Sequence, residues 1–203
     1  RSLAMMSKSK SHPVRLLQEN TKSNKPYVSS SDIAFSIAPQ LNALGRLKDP
    51  RLGVLFFLES NESKIENIAV HLHALNEQRK KIEALIIEKI QKKLSGTEKK
   101  IKEDACIVCA STEFSAGVIG LAASKICNMY NVPCCIFNEC DDGLLKGSCR
   151  SIPDCNIFKV LSSINQSIIV SFGGHKAAAG VAIKKEHLES FKNEFSKNIL
   201  EQC

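Results

Sequence analysis

Tryptophan is absent from this sequence, and with two tyrosines and nine phenylalanines in 203 residues the aromatic share is only 5%. A groove that holds a polymer mainly by stacking its bases needs a series of exposed rings, so no dedicated stacking platform is evident. Long apolar runs are missing as well. None approaches the ~18 to 20 residues that cross a bilayer, and the opening residues lack the pattern of a secretory signal. No membrane partner is therefore expected, and the cytoplasm is the expected compartment. The chain opens on Arg1 rather than methionine, as expected of a fragment or a processed piece.

Positive charge and cysteine are present in excess. There are 28 Lys and Arg against 21 Asp and Glu, a formal net charge of +7, which favours polyanionic partners without demanding one. Hydrophobic residues make up 43%, a globular rather than disordered composition. The nine cysteines are an odd number and sit largely in apolar runs. Cys106 and Cys109 have the spacing of half a zinc site, but no second Cys/His pair matches it. Strand alternation would also put them on opposite faces. They are expected to be reduced thiols acting as small hydrophobes.

Residues 1–30 carry Arg1, Lys8, Lys10, Arg15, Lys22 and Lys25 against a single acid, Glu19. With only Val14, Leu16 and Leu17 as an apolar cluster, the segment reads as short helices and loops on a basic surface. It is either a binding arm or a solvated tail. Residues 31–58 are denser, and Asn42, Gly45 and Arg46 stand out in an apolar context. Arg46 could offer its planar fork to a phosphate, or could pair with a carboxylate or cap a helix end.

Residues 61–94 are the clearest helix. Apolar positions recur at Ile65, Ile68, Leu72, Leu75, Ile82, Ile86 and Ile90, with no Pro or Gly inside, and Ser95-Gly96 stops it. At 1.5 Å per residue it would reach ~50 Å, a strut between two domains. Its charges, Glu83 among them, read as a solvated face. From about residue 103 strands and helices alternate: strands at 105–110, 132–137 and 144–149, a helix opening near Gly117 and Gly120, a short helix at 156–164 and a closing helix at 187–200. Asp141-Asp142-Gly143 makes a tight turn. This is a small α/β domain of about 100 residues.

The pattern's focus is Ser171-Phe172-Gly173-Gly174-His175-Lys176-Ala177-Ala178-Ala179-Gly180. Paired glycines bring a ligand close to bare backbone, and the histidine after them changes charge near neutral pH. Such a loop suits an anion, or it is a glycine turn whose histidine satisfies local backbone. Two further pieces could join it. Gly117 and Gly120 open a helix, where amides favour anions, and Ser148 and Arg150 end a strand with a hydroxyl and a guanidinium. Three such loops together would suit a phosphodiester backbone.

In order, Leu41-Asn-Ala-Leu-Gly-Arg46, a long helix, Ala116-Gly-Val-Ile-Gly120, Lys146-Gly-Ser-Cys-Arg150-Ser-Ile-Pro153 and Phe172-Gly-Gly-His175-x-x-Ala-Ala-Gly180 resemble RecJ-type single-stranded-DNA-specific exonucleases, of the DHH phosphoesterase superfamily. The resemblance runs from about residue 30 to 195. It implies that residues 1–60 end a DHH catalytic domain, 61–96 form an interdomain helix and 103–203 form the DHH-associated domain, a small mixed-sheet α/β fold. The activity it implies is 5′-to-3′ hydrolysis of single-stranded DNA with Mn2+ or Mg2+, in recombination and repair. Arg46, Arg150 and His175 match positions facing the DNA backbone, and Gly173 and Gly174 match the loop that closes over it.

Two departures matter. The family usually shows Trp-His-Pro before its Gly-Val-Ile-Gly run, where this chain has Phe114-Ser115-Ala116, so Ser115 is given no role. The family's metal ligands come from aspartate-rich and Asp-His-His motifs, and this chain has neither. His71 and His73 fall on different faces of the long helix, while His12 and His187 sit among basic residues. The expectation is that catalysis and metal belong to an upstream DHH domain, and that this chain alone holds no metal, binds single-stranded DNA weakly and does not hydrolyse it. The rival readings are a DHH phosphodiesterase acting on short oligonucleotides or cyclic dinucleotides, and a non-catalytic nucleic-acid-binding module.

Overall fold

The computed structural model describes residues 2–20 and 27–202. The expectations placed on Arg1, Lys22 and Lys25 lie outside the described residues. The chain divides into two compact units, residues 1–81 and 82–203, and the division falls inside one helix.

The first unit is all helical: α1 (Ser2–Ser7), α2 (His12–Glu19), α3 (Ser30–Asp32), α4 (Ala38–Leu47), α5 (Arg51–Leu58) and the start of α6 (Glu62–Leu94). A capping box starts α3: Ser29 Oγ accepts from the Asp32 amide at 3.1 Å, and Asp32 Oδ2 accepts from the Ser29 amide at 2.9 Å. The chain then passes through a π-helical stretch, Ile33–Ile37, into α4. Leu17, Ile37, Leu44, Phe56, Ile65 and Leu72 form the core. Leu17 is fully buried, so α2 is docked by its apolar face and is not a solvated tail.

Helix α6 is 33 residues long and is followed by a turn at Gly96, whose φ of 78° lies in the left-handed region that glycine favours. Its expected stripe is largely inward: Ile65, Leu72, Leu75, Ile86 and Ile90 are buried. Glu83 departs from expectation. It is 4% exposed rather than solvated, because one residue past Ile82 the surface turns toward the second unit's own helix α8 (Ile119–Tyr130), where Lys125 Nζ meets Glu83 Oε1 at 2.7 Å. A buried carboxylate is tolerated only with such a partner.

The second unit continues with α7 (Glu98–Asp104) and builds a five-stranded sheet of order β1-β2-β3-β5-β4: β1 (Ile107–Ser111), β2 (Cys134–Glu139), β3 (Leu144–Arg150), β4 (Ile169–Gly174) and β5 (Ala178–Lys184). The β1–β2 pair is parallel and the other pairs are antiparallel, so the architecture is a mixed-sheet α/β domain. Helix α8 packs on β2 and β3 from one face. Helices α9 (Ile157–Ser162) and α10 (Leu188–Gln202) cover the other, where Phe137, Cys149, Val160, Val181, Phe191 and Phe195 form the core. The closing helix is inward at Phe191, Phe195 and Ile199, as its periodicity predicts. Gly143 takes φ 77° in the expected turn before β3.

Two sequence expectations are corrected here. Ser171 to Gly174 belong to β4 rather than to a loop, leaving His175 to Ala177 as the connection to β5; the short apolar run simply extends through the glycines. Among the described residues seven cysteines are free thiols, but Cys155 is disulfide-bonded, so the expectation that all are reduced does not hold there.

Candidate nucleic-acid interface

Residues opposite each other in neighbouring strands share a sheet face, and the register sorts the candidate residues. Cys149, Ala179 and Val181 point into the core under α9 and α10. Their neighbours Ser148 and Arg150 therefore face α8. Ser148 pairs with Gly180, which pairs with Gly173, and Arg150 pairs with Ala178. At Gly180 and Gly173 this face carries no side chain. Gly173 and Gly180 are exposed, and a Cβ added at Gly173 would meet nothing within 4 Å, one at Gly180 only the Gly147 carbonyl at 3.9 Å. The result is a floor of bare backbone bordered by Ser148 and Arg150.

Arg150 is held in place from three directions. Its Nε donates to Ser124 Oγ on α8 at 3.0 Å, and its Nη1 donates to Ser148 Oγ at 2.9 Å and to the Cys149 carbonyl at 2.8 Å. Ser124 in turn donates to the Gly120 carbonyl at 3.0 Å. Gly120 makes the arrangement possible, since a Cβ there would lie 3.0 Å from Arg150 Nη2 and 3.1 Å from Ser148 Oγ. All of these acceptors are neutral, so the half-buried guanidinium is oriented without being neutralised. Among the described residues no carboxylate pairs with it, and a fixed fork of this kind matches the planar geometry of a phosphate.

The glycine-histidine turn stands at the end of the same row. Gly174 has φ 149°, and a Cβ on it would come within 2.4 Å of the Ala178 carbonyl oxygen, so only glycine lets the hairpin close. The tip is then tied by main-chain bonds: the His175 amide to the Ala178 carbonyl at 2.8 Å, the Ser151 amide to the Ala177 carbonyl at 3.0 Å and the Ile157 amide to the Lys176 carbonyl at 3.0 Å. Those bonds fix the turn against the end of β3 and the start of α9. His175 and Lys176 are exposed. With strands ~4.8 Å apart, the His175 backbone lies about two strand spacings, ~10 Å, from that of Arg150.

The structure thus brings Gly120, Ser148 and Arg150 into direct contact and sets Gly173, Gly174 and His175 on the adjoining strands. Gly117 lies in the turn that leads into α8, one residue before Val118, whose amide bonds the Ser115 carbonyl at 2.9 Å. Arg46 belongs to the first unit, half-buried in the last turn of α4, and it is not without an interaction of its own. Ser124 went unrecognised in the sequence, although it falls one helical turn after Gly120 and so on the same face. Asn138 was also missed: its Nδ2 donates to the Phe114 carbonyl at 2.6 Å, anchoring the loop before α8. Phe114 itself is buried, with Lys93 Nζ 5.7 Å from its ring centre, so the first residue of the unusual Phe-Ser-Ala triplet serves packing.

Burial shapes the thiols of this unit. It pushes Cys106 up to about 12 and raises Cys109 and Cys135, while Cys134 is raised first by its bond to Cys127 and then by burial. None is activated by a base. Among the described residues, no group of three or more His, Cys, Asp or Glu side chains could hold a metal ion, and no helix is long and apolar enough to cross a membrane. The described residues therefore do not fit a divalent-metal centre.

Comparison with known proteins converges on one group. Residues 103–201 match the DHHA1 domain model. The chain is 35% identical over 189 residues to the single-stranded-DNA-specific exonuclease RecJ of Haemophilus influenzae, covering 90% of this chain and 32% of that protein. It is 30% identical over 194 residues to the RecJ of Escherichia coli, covering 93% and 33%. Among solved structures, RecJ from Thermus thermophilus in complex with Mg2+ superposes with a TM-score of 0.82 at 26% identity, over 98% of this chain and 30% of that one. The Mn2+ complex gives 0.83 at 26% identity over 98% and 28%. The chain spans about a third of the length of these relatives.

Proposed function

Because the chain belongs to the RecJ-type exonuclease family, with residues 103–201 as its DHHA1 domain, we propose that its second unit binds the sugar-phosphate backbone of single-stranded DNA for hydrolysis by the parent enzyme. In this reading Arg150 and Ser148 grip a phosphate, His175 reaches it from the hairpin tip, and Gly173, Gly174, Gly117 and Gly120 let the backbone approach. Arg46 would contact the backbone separately, from the first unit. Residues 1–60 would close the catalytic domain, 61–96 connect it and 103–203 form the substrate-binding domain, in a cytoplasmic repair and recombination enzyme.

One observation carries the reading: a guanidinium fixed by three neutral acceptors beside an open glycine floor. Structural relatives are solved with Mg2+ or Mn2+, but the described residues here fit no such ion. The chemistry of bond cleavage is accordingly assigned to a domain upstream, and the isolated chain is expected to leave single strands intact with either metal. The cyclic-dinucleotide alternative is disfavoured by the RecJ matches, which extend through α4 and the long helix.

The test is titration of a labelled single-stranded oligonucleotide with the 203-residue chain and with its Arg150→Ala and His175→Ala variants, followed by anisotropy at several salt concentrations. A charge-assisted bond to phosphate contributes about 1.5–3 kcal/mol, so Arg150→Ala should weaken binding roughly 10- to 100-fold. The slope of log K against log salt should become shallower by about 0.7 for each phosphate that the variant no longer neutralises. Binding unchanged in both variants would instead place the interaction on the basic segment 1–30 and overturn the proposal.

A further inference from the structure

We propose a nucleobase-stacking site at the outer edge of the sheet, formed by Phe158 on α9 and Phe172 on β4. This rests on the reading of the Ser148/Arg150 face as a phosphate site and extends it round the hairpin tip.

Phe172 pairs with Val181 and so lies on the opposite sheet face from Ser148 and Arg150, at the margin of the core. Phe158 meets it with ring centres 5.6 Å apart and planes tilted by 44°. Phe158 remains 40% exposed, while Phe114, Phe137, Phe191 and Phe195 of the same unit are fully buried. The half-exposed phenyl does not fill the core; it extends Phe172 outward as a second apolar surface. Phe158 directly follows Ile157, whose amide bonds the Lys176 carbonyl at 3.0 Å, so the rings and the hairpin tip are held together by main chain. Lys159 and Lys176 are exposed beside them, and this unit's exposed His175 stands on the same tip.

An aromatic face flanked by cations suits a nucleotide: the ring takes a base of any sequence, and the lysines take the neighbouring phosphates. Strand β4, which carries Phe172, lies two strand spacings, about 10 Å, from β3, which carries Arg150. A strand gripped at Arg150 would therefore reach the far side of the tip within a few nucleotides. Free apolar partners such as a protein segment would not need the paired lysines, so single-stranded nucleic acid is the occupant the surface fits.

The experiment uses the 203-residue chain and oligonucleotides carrying the fluorescent base 2-aminopurine at successive positions, with matched oligonucleotides abasic at those positions. Wild type should quench one or two positions on binding. Phe158→Ala should abolish that quenching, weaken binding of the normal strand roughly 3- to 10-fold, the lower end expected for a half-exposed ring, and leave the abasic strand and the salt slope unaffected. Phe158→Tyr should restore quenching. Phe158→Leu keeps an apolar cover over Phe172, and it decides the matter if the alanine variant loses its native circular dichroism. Quenching and affinity unchanged in Phe158→Leu, with Arg150→Ala still weakened, would sink the stacking site alone. Loss of all response to Arg150→Ala would sink the phosphate reading beneath it.

Discussion

Two adjacent glycines of β4 should respond to the same substitution in opposite ways. At Gly174 an added Cβ would sit 2.4 Å from the Ala178 carbonyl oxygen, 2.5 Å from the Ala179 Cα and 2.7 Å from its Cβ, and φ is 149°. The obstructing atoms are mostly backbone of the partner strand, so relief requires opening the hairpin. Backbone strain of about 1–3 kcal/mol and overpacking of about 1–3 kcal/mol give a loss of roughly 2–6 kcal/mol for Gly174→Ala. At about 3–5 °C per kcal/mol, between the values for smaller and larger domains, the melting temperature of the second unit should fall by on the order of 6–30 °C. At Gly173 nothing lies within 4 Å, so Gly173→Ala should melt within about 1 kcal/mol of wild type. Its methyl group would stand on the glycine floor and weaken oligonucleotide binding a few-fold. Thermal melts by circular dichroism, paired with anisotropy titrations, separate the two effects. A Gly174→Ala chain that melts within 3 °C or so of wild type would refute the hairpin geometry.

Two further outcomes follow from the same face. Gly120→Ala places a methyl 3.0 Å from Arg150 Nη2 and 3.1 Å from Ser148 Oγ; both are side-chain atoms able to move, so stability should change by less than about 1 kcal/mol while oligonucleotide affinity falls several-fold, checked by melting and anisotropy together. Stability should also decline in alkali. Cys106 is raised from 9.0 to about 12 in the folded chain, so the native state retains a proton that the unfolded state gives up, and the associated stability is intact below pH 9 and lost as pH rises toward 12. Urea midpoints measured between pH 8 and pH 10.5 should fall, and a flat profile would contradict the burial of these thiols.

Much of this architecture is written locally in the chain. The α6 stripe, the strands around Cys109 and Ile136, the Asp141-Asp142-Gly143 turn and the closing helix all follow from periodicity and turn chemistry, which depend on near neighbours. Helix α7 was not legible, because Ile101 is its only buried residue and one apolar side chain sets no period. Glu83 was misplaced for the opposite reason: charge suggested solvent, whereas the position is decided by Lys125, far along the chain on α8. The anion-suited loops could be recognised by residue type at Gly120, Ser148, Arg150 and His175. Their assembly could not, since it depends on strand order: β5 inserts between β3 and β4, and only that insertion aligns Arg150, Ala178 and the histidine turn. Ser124 is invisible until α8 is laid on the sheet.

The hairpin tip is secured entirely through amides and carbonyls: His175 to Ala178, Ser151 to Ala177 and Ile157 to Lys176. Such anchoring is indifferent to which side chains the tip displays. Evolution or design can therefore exchange Lys176 and Ala177 freely and alter which polymer is welcomed there, while the turn itself keeps its shape and station.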